Sequence, residues 1–199
     1  MSENEKIIAP IGVYAGILCM DPVEDNFGKL LLRRRNVPDS IIPGESFRGN
    51  WELPGGAVEQ NEKDIYSYDY LSRILKRLVK ERVGMEIDLP PNATFYPVFL
   101  GGKIVDLAMV TVIQIYRLPL FEPTAELCWV DCKQLNNMAD QFCPADEKRS
   151  ISGEGLLSGS GKRMHCMALH AMLSSPDRDS AALAWDTLES IQEKWPSIE

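Results

Sequence analysis

The chain has 199 residues, 45% of them apolar, and a formal net charge of −8. That length holds one domain with a full core and leaves no comfortable room for two, and the acidic balance argues against nucleic acid as a bulk partner. No run reaches the length of a membrane span, Met1 to Lys6 is too polar for a signal peptide, and five irregularly spaced cysteines fit reduced thiols, so a cytoplasmic protein without a membrane partner is expected.

Ile7 to Met20 is apolar with β-branched and small residues, which predicts a first strand buried on at least one face. Asp21 to Gly28 carries Asp, Pro, Asn and Gly and predicts a hairpin loop, and Lys29 to Arg35 returns as a second strand. Alternation puts Arg33 and Arg35 on one face of that strand and Arg34 on the other. Arg33 then belongs to a solvated strand end or faces a phosphate. Asn36 to Gly49, with two prolines and two glycines, predicts a loop bordering a pocket.

Asn50 to Leu53 alternates apolar and polar and leads into Pro54-Gly55-Gly56, a strand end followed by a turn. From about Asp64 the period changes: Ile65, Leu71, Ile74, Leu75, Leu78 and Val79 form one helical stripe. Gly84 stands where a helix takes its left-handed C′ residue, and Lys76, Arg77, Lys80 and Arg82 load the negative end of the macrodipole.

Pro90-Pro91 breaks the chain, after which Thr94 to Leu100 and Ile104 to Leu118 predict strands joined by a Gly101-Gly102 hairpin, the second strand central by its content. Phe142 to Gly161 is rich in Ser and Gly and predicts a loop. Its end, Gly159-Ser160-Gly161-Lys162, is not a phosphate loop, because Leu156 replaces the first glycine and Arg163 the hydroxyl residue. Lys162 to Leu173 predicts a short helix, and Ser175-Pro176 predicts the N-cap and first position of the next. Ala181, Ala184, Trp185, Leu188, Ile191 and Trp195 give that last helix an apolar stripe, which packs on the domain or on a second subunit and so leaves a homodimer open. Cys166 and His170, with His165 beside them, have metal-pair spacing on a helix, but no second pair exists and packing is preferred. The organisation expected is a core from about 7 to 140, a loop over 141–161 and C-terminal helices over 162–195.

The stretch from Trp51 to Met85 resembles the box of the Nudix hydrolase family, written G, five residues, E, seven residues, R-E-U-x-E-E-x-G-U with U a bulky aliphatic. Trp51 to Gly56 is similar to the family's lead-in, Gly56 and Glu62 match the first half, and Arg77 to Met85 line up with the second. Glu126-Leu127-Cys128-Trp129-Val130 is similar to the pattern that follows the last central strand in the family. The resemblance implies an α/β (α+β) Nudix fold, a mixed β-sheet sandwiched between helices, here with extra C-terminal helices. It also implies a pyrophosphohydrolase that takes a small, nucleotide-like, nucleoside-diphosphate-linked ligand and uses Mg or Mn.

The box is degenerate at the positions that carry the chemistry. Three glutamates at i, i+3 and i+4 share a helical face and give a hard cation its carboxylate oxygens; here those positions are Leu78, Glu81 and Arg82. Fourteen residues (63–76), not seven, separate Glu62 from Arg77, so the extra segment near Lys63 to Tyr70 lengthens either the helix or the loop before it. The resemblance assigns Gly55, Gly56, Glu62 and Gly84 to shaping the loop, with Glu62 pairing to Arg77. It assigns the Gly56 carbonyl and Glu81 to a metal and makes Glu122 or Glu126 the candidates for activating water, while Arg77, Arg82 and Arg33 are the candidates for holding phosphates. Arg82 is either a solvated helix-end cation or a guanidinium projecting into the former metal site. The expectation is a Nudix-type domain that acts on or binds a pyrophosphate ligand, with hydrolysis weak or lost and then no cofactor. The alternatives are an active enzyme with a rearranged metal site, drawing on Asp64 and Asp69, or a non-catalytic protein-interaction module.

Overall fold

A computed structural model describes residues 10–35, 49–58, 67–91, 93–100, 106–142 and 160–193. The expected loops over 36–48 and 143–159, the Gly101-Gly102 turn, and Glu62, Asp64, Ile65 and Trp195 lie outside the described residues.

Apolar alternation produces a sheet that is buried on both faces. Strand β1 (Pro10–Cys19) runs parallel to β6 (Asp106–Ile115) and antiparallel to β2 (Leu30–Arg34) and β4 (Gly55–Ala57). β3 (Trp51–Glu52) and β7 (Leu127–Val130) both pair with β2, and β5 (Tyr96–Leu100) pairs with β6 at the far edge. The order β3-β2-β1-β6-β5 puts β6 inside the sheet, as its content predicts. β6 ends at Ile115, short of the expected Leu118, because β1 ends at Cys19 and offers nothing further to pair with.

Helix α1 (Tyr68–Val83) covers one face. Its Leu71, Leu75, Leu78 and Val79 pack with Val13, Ala15 and Ile17 of β1, Leu31 of β2, and Met109 and Ile113 of β6. Burying each such side chain contributes about 2 kcal/mol. The helix begins later than the expected Asp64. Ser67 is its N-cap, its hydroxyl accepting from the Tyr70 amide at 3.3 Å. At the other end Gly84 adopts φ 85°, as its place in the sequence predicts, and its amide donates to the Lys80 carbonyl at 3.0 Å.

The opposite face is covered by α2 (Cys132–Asn137), a short 3₁₀ turn (Ala139–Phe142), and α3 (Ser160–Met172). Met167, Leu169 and Met172 meet Leu18, Leu30, Leu32 and Val110 there, the other half of each strand's alternation. A last helix, α4 (Arg178–Glu193), buries Ala184 and Leu188 against this layer. Its cap is Asp177 and not Ser175: the Asp177 carboxylate accepts from the Ser180 amide at 3.3 Å. Ser175 is engaged elsewhere, donating its hydroxyl to the Gly28 carbonyl at 2.7 Å and tying the β1–β2 hairpin to the α3–α4 turn. The apolar stripe of α4 is only partly used, since Trp185 is exposed together with Leu183.

No helix among the described residues is long and apolar enough to cross a membrane. Cys19, Cys128, Cys132 and Cys166 are free thiols, and burial pushes the last three up to about 11.

Candidate functional site

The site is built where the ends of β2, β3 and α1 meet Pro54-Gly55-Gly56; the expected turn there is a bend at Pro54, and its two glycines already belong to β4, paired with Tyr14 and Val13 of β1. Arg33 and Glu52 are partners in the β2–β3 register, and parity turns Arg33 to the same side as Leu31, the face α1 covers. There Arg33 Nη2 and Glu52 Oε1 form an ion pair with both residues 3% exposed. Arg35, two residues on and therefore on the same face, places Nε 3.3 Å from Glu52 Oε2. Arg33 Nε and Asn50 Nδ2 are buried without a hydrogen-bond partner among the described residues.

The third guanidinium comes from α1. Arg82 Nη1 donates to the Gly55 carbonyl at 3.1 Å. A Cβ on Gly56 would stand 2.2 Å from Arg82 Nη1, so the turn needs glycine there because the guanidinium lies against it. Burial pushes the Glu52 carboxyl up, and Arg33, Arg35 and Arg82 all oppose that rise. Arg33 is driven down by burial, opposed by Glu52, with Arg82 and Arg35 adding repulsion. One carboxylate thus sits among three cations, in a chain whose net charge is −8.

Two expectations about arginines are corrected here. Arg33 is not at a solvated strand end: Glu52 in register gives its charge a buried partner, which is what lets a guanidinium leave water. Arg82 is not simply a solvated helix-end cation: it is half-buried and seated on the turn. The other candidates stand apart from this cluster. Arg77 is exposed, about 140° around α1 from Arg82, and makes no ion pair among the described residues. Glu81 is exposed, with its backbone carbonyl accepting from Thr124 Oγ1 at 3.3 Å. Glu122 is exposed and approaches α1 through its backbone oxygen, which lies 2.1 Å from where a Cβ on Gly84 would be. Glu126 pairs with Arg34 Nη1 at 3.1 Å on the surface, a contact that solvent screens.

The Mg or Mn that the resemblance implies does not fit the donors among the described residues. Leu78 is buried in the α1 core and carries no oxygen. Arg82 puts a positive charge against the glycine turn, where a divalent ion would be repelled. Among the described residues no group of three or more His, Cys, Asp or Glu side chains is arranged to hold a metal ion. Cys166 and His165 are buried while His170 is exposed, so that helix presents no converging ligand pair. His165 packs its ring on Phe142, centroids 5.6 Å apart, and burial lowers it to about 4.

Sequence reasoning missed Glu52 and Arg35 as members of the site. Their signal was the strand register, which the intervening loop hides. It also missed α2, although Asp131 and Gln134 have capping-box spacing and form that box.

No protein-family model matches the chain, and no curated protein matches it. Several solved structures are similar to it. The Nudix domain of Shewanella oneidensis NrtR, in complex with ADP ribose, is 16% identical with a TM-score of 0.44, covering 69% of this chain and 82% of that one. The MutT protein of Methanosarcina mazei is 22% identical with a TM-score of 0.39, covering 66% and 85%. The Nudix hydrolase RenU of M. smegmatis is 16% identical with a TM-score of 0.40, covering 96% and 90%. The chain's own mixed sheet between helices, with the two glycines ahead of α1 in sequence and Gly84 closing that helix, has the α/β arrangement expected from the sequence.

Proposed function

We propose that this chain is a Nudix-type domain that binds a nucleoside-diphosphate-linked, pyrophosphate-containing ligand, and that metal-dependent hydrolysis by it is weak or lost. The observation that carries the reading is the seating of Arg82 on the Gly55 carbonyl, with Leu78 buried one turn earlier. Phosphoryl chemistry depends on positioning and on neutralising charge. Replacing two acidic metal ligands by an apolar residue and a cation removes the neutralising ion, a loss of several orders of magnitude in rate. The phosphate-facing group in this reading is Arg82, with Arg33 behind it. Residual hydrolysis would fall to Glu81 and the Gly56 carbonyl as the ligands of Mg or Mn, and to Glu122 or Glu126 as the base.

The test is turnover of ADP-ribose, dinucleotides and nucleoside triphosphates with Mg²⁺ or Mn²⁺. The reading expects binding of at least one of them with turnover far below ordinary enzyme rates. Ordinary rates would overturn it.

A further inference from the structure

We propose that the Arg82 guanidinium takes the place of a divalent cation at the glycine turn, so that the site holds a diphosphate group without any metal. The inference rests on the ligand class proposed above and specifies how that ligand is held. Arg82 is half-buried, and one backbone carbonyl is its partner among the described residues. A guanidinium has five N–H donors in a fixed fork, so among the described residues most of its capacity stays open. That fork matches two phosphate oxygens at once, as a metal ion would bridge them.

The surroundings are biased the same way. Arg33 is held in place by Glu52, so its charge cannot swing away into water, and its Nε is a buried donor without a hydrogen-bond partner among the described residues. Glu52 is shared between Arg33 and Arg35, and among the described residues it makes no ion pair with Arg82. A multiply charged anion at the mouth of this cluster offsets cation–cation repulsion in a partly desolvated place. A dication meets the reverse balance, repelled by Arg82 and offered no oxygen by Leu78.

The experiment is calorimetric titration of the full chain with inorganic diphosphate and with ADP-ribose, each in EDTA and in excess Mg²⁺. Arg82→Gln is the main variant, because glutamine keeps N–H donors but carries no charge; a thermal melt checks its fold. Both ligands are expected to bind in EDTA, no more weakly than in Mg²⁺, and Arg82→Gln is expected to weaken each by about tenfold or more. Binding that appears only with Mg²⁺ overturns the inference and leaves the ligand class standing. Diphosphate binding in EDTA that depends on Arg82, without any ADP-ribose binding, upholds the inference and removes the ligand class. Unchanged affinity in a folded Arg82→Gln protein overturns the inference. Should that variant fail to fold, Arg82→Lys keeps the charge without the fork; intermediate weakening supports the inference and wild-type affinity contradicts it.

Discussion

Arg33 and Glu52 face each other in the β2–β3 register as a buried ion pair, and Arg35 and Arg82 act on the same carboxylate. The pair fixes the floor of the site, because each group is out of water only on account of the other. Removing one partner leaves the other charged, buried and unpaired. Glu52→Ala is therefore expected to destabilise the fold by about 3–5 kcal/mol, read from the midpoint of urea unfolding. A loss under about 1 kcal/mol would mean that the pair is far better hydrated than its burial indicates.

Gly84 and Gly56 both exclude a side chain, for different reasons. At Gly84, φ is 85° and a Cβ would meet the Glu122 backbone oxygen at 2.1 Å. Backbone cannot step aside cheaply, so Gly84→Ala is expected to cost at least about 2 kcal/mol in denaturant unfolding. At Gly56 the obstacle is the far end of Arg82, which can swing away. Gly56→Ala is expected to displace the guanidinium and weaken diphosphate binding as Arg82→Gln does, with some loss of stability because φ is 158° there.

Stability should fall on the acid side through His165. Burial lowers this imidazole to about 4, below its ordinary 6.5, so the folded protein prefers it neutral. Between these values the unfolded chain binds more protons than the folded one. The stabilisation is whole above pH 6.5, is lost progressively as pH falls toward 4, and reaches about 3 kcal/mol in all. His165→Phe should flatten this part of the stability-versus-pH curve; an unchanged slope would assign it to other groups.

Much of this was legible in the sequence, and the gaps have physical causes. The stripe from Leu71 to Val79 and the stop at Gly84 are local signals, and both appear in α1 as read. So do the strands, whose alternation divides Leu30 and Leu32 from Leu31 between the two faces. The start of α1 was misplaced because periodicity alone cannot weigh a single serine cap. Ser175 was mistaken for a cap because its contact to Gly28 is made 147 positions away along the chain. Arg33 looked like a solvated strand end because the charge that buries it arrives on another strand, past a loop. A run of three arginines reads as surface until a carboxylate is placed among them.

The box positions can also be reversed. Leu78→Glu with Arg82→Glu would place three carboxylates on the helix face with Glu81 and free the glycine turn of its guanidinium. Mn²⁺ affinity is expected to rise by at least about tenfold in the double variant, measured by calorimetry. The buried position of Leu78 makes a lower melting temperature the accompanying cost.

The central claim, that a side-chain cation has replaced a metal ion at the turn, is met most directly by titrating the unmodified chain with Mn²⁺ in the absence of nucleotide. The account predicts heats no larger than dilution at submillimolar metal. Saturable submillimolar binding that Arg82→Gln leaves unchanged would contradict it, because a divalent ion would then sit in the molecule without regard to the guanidinium said to exclude it.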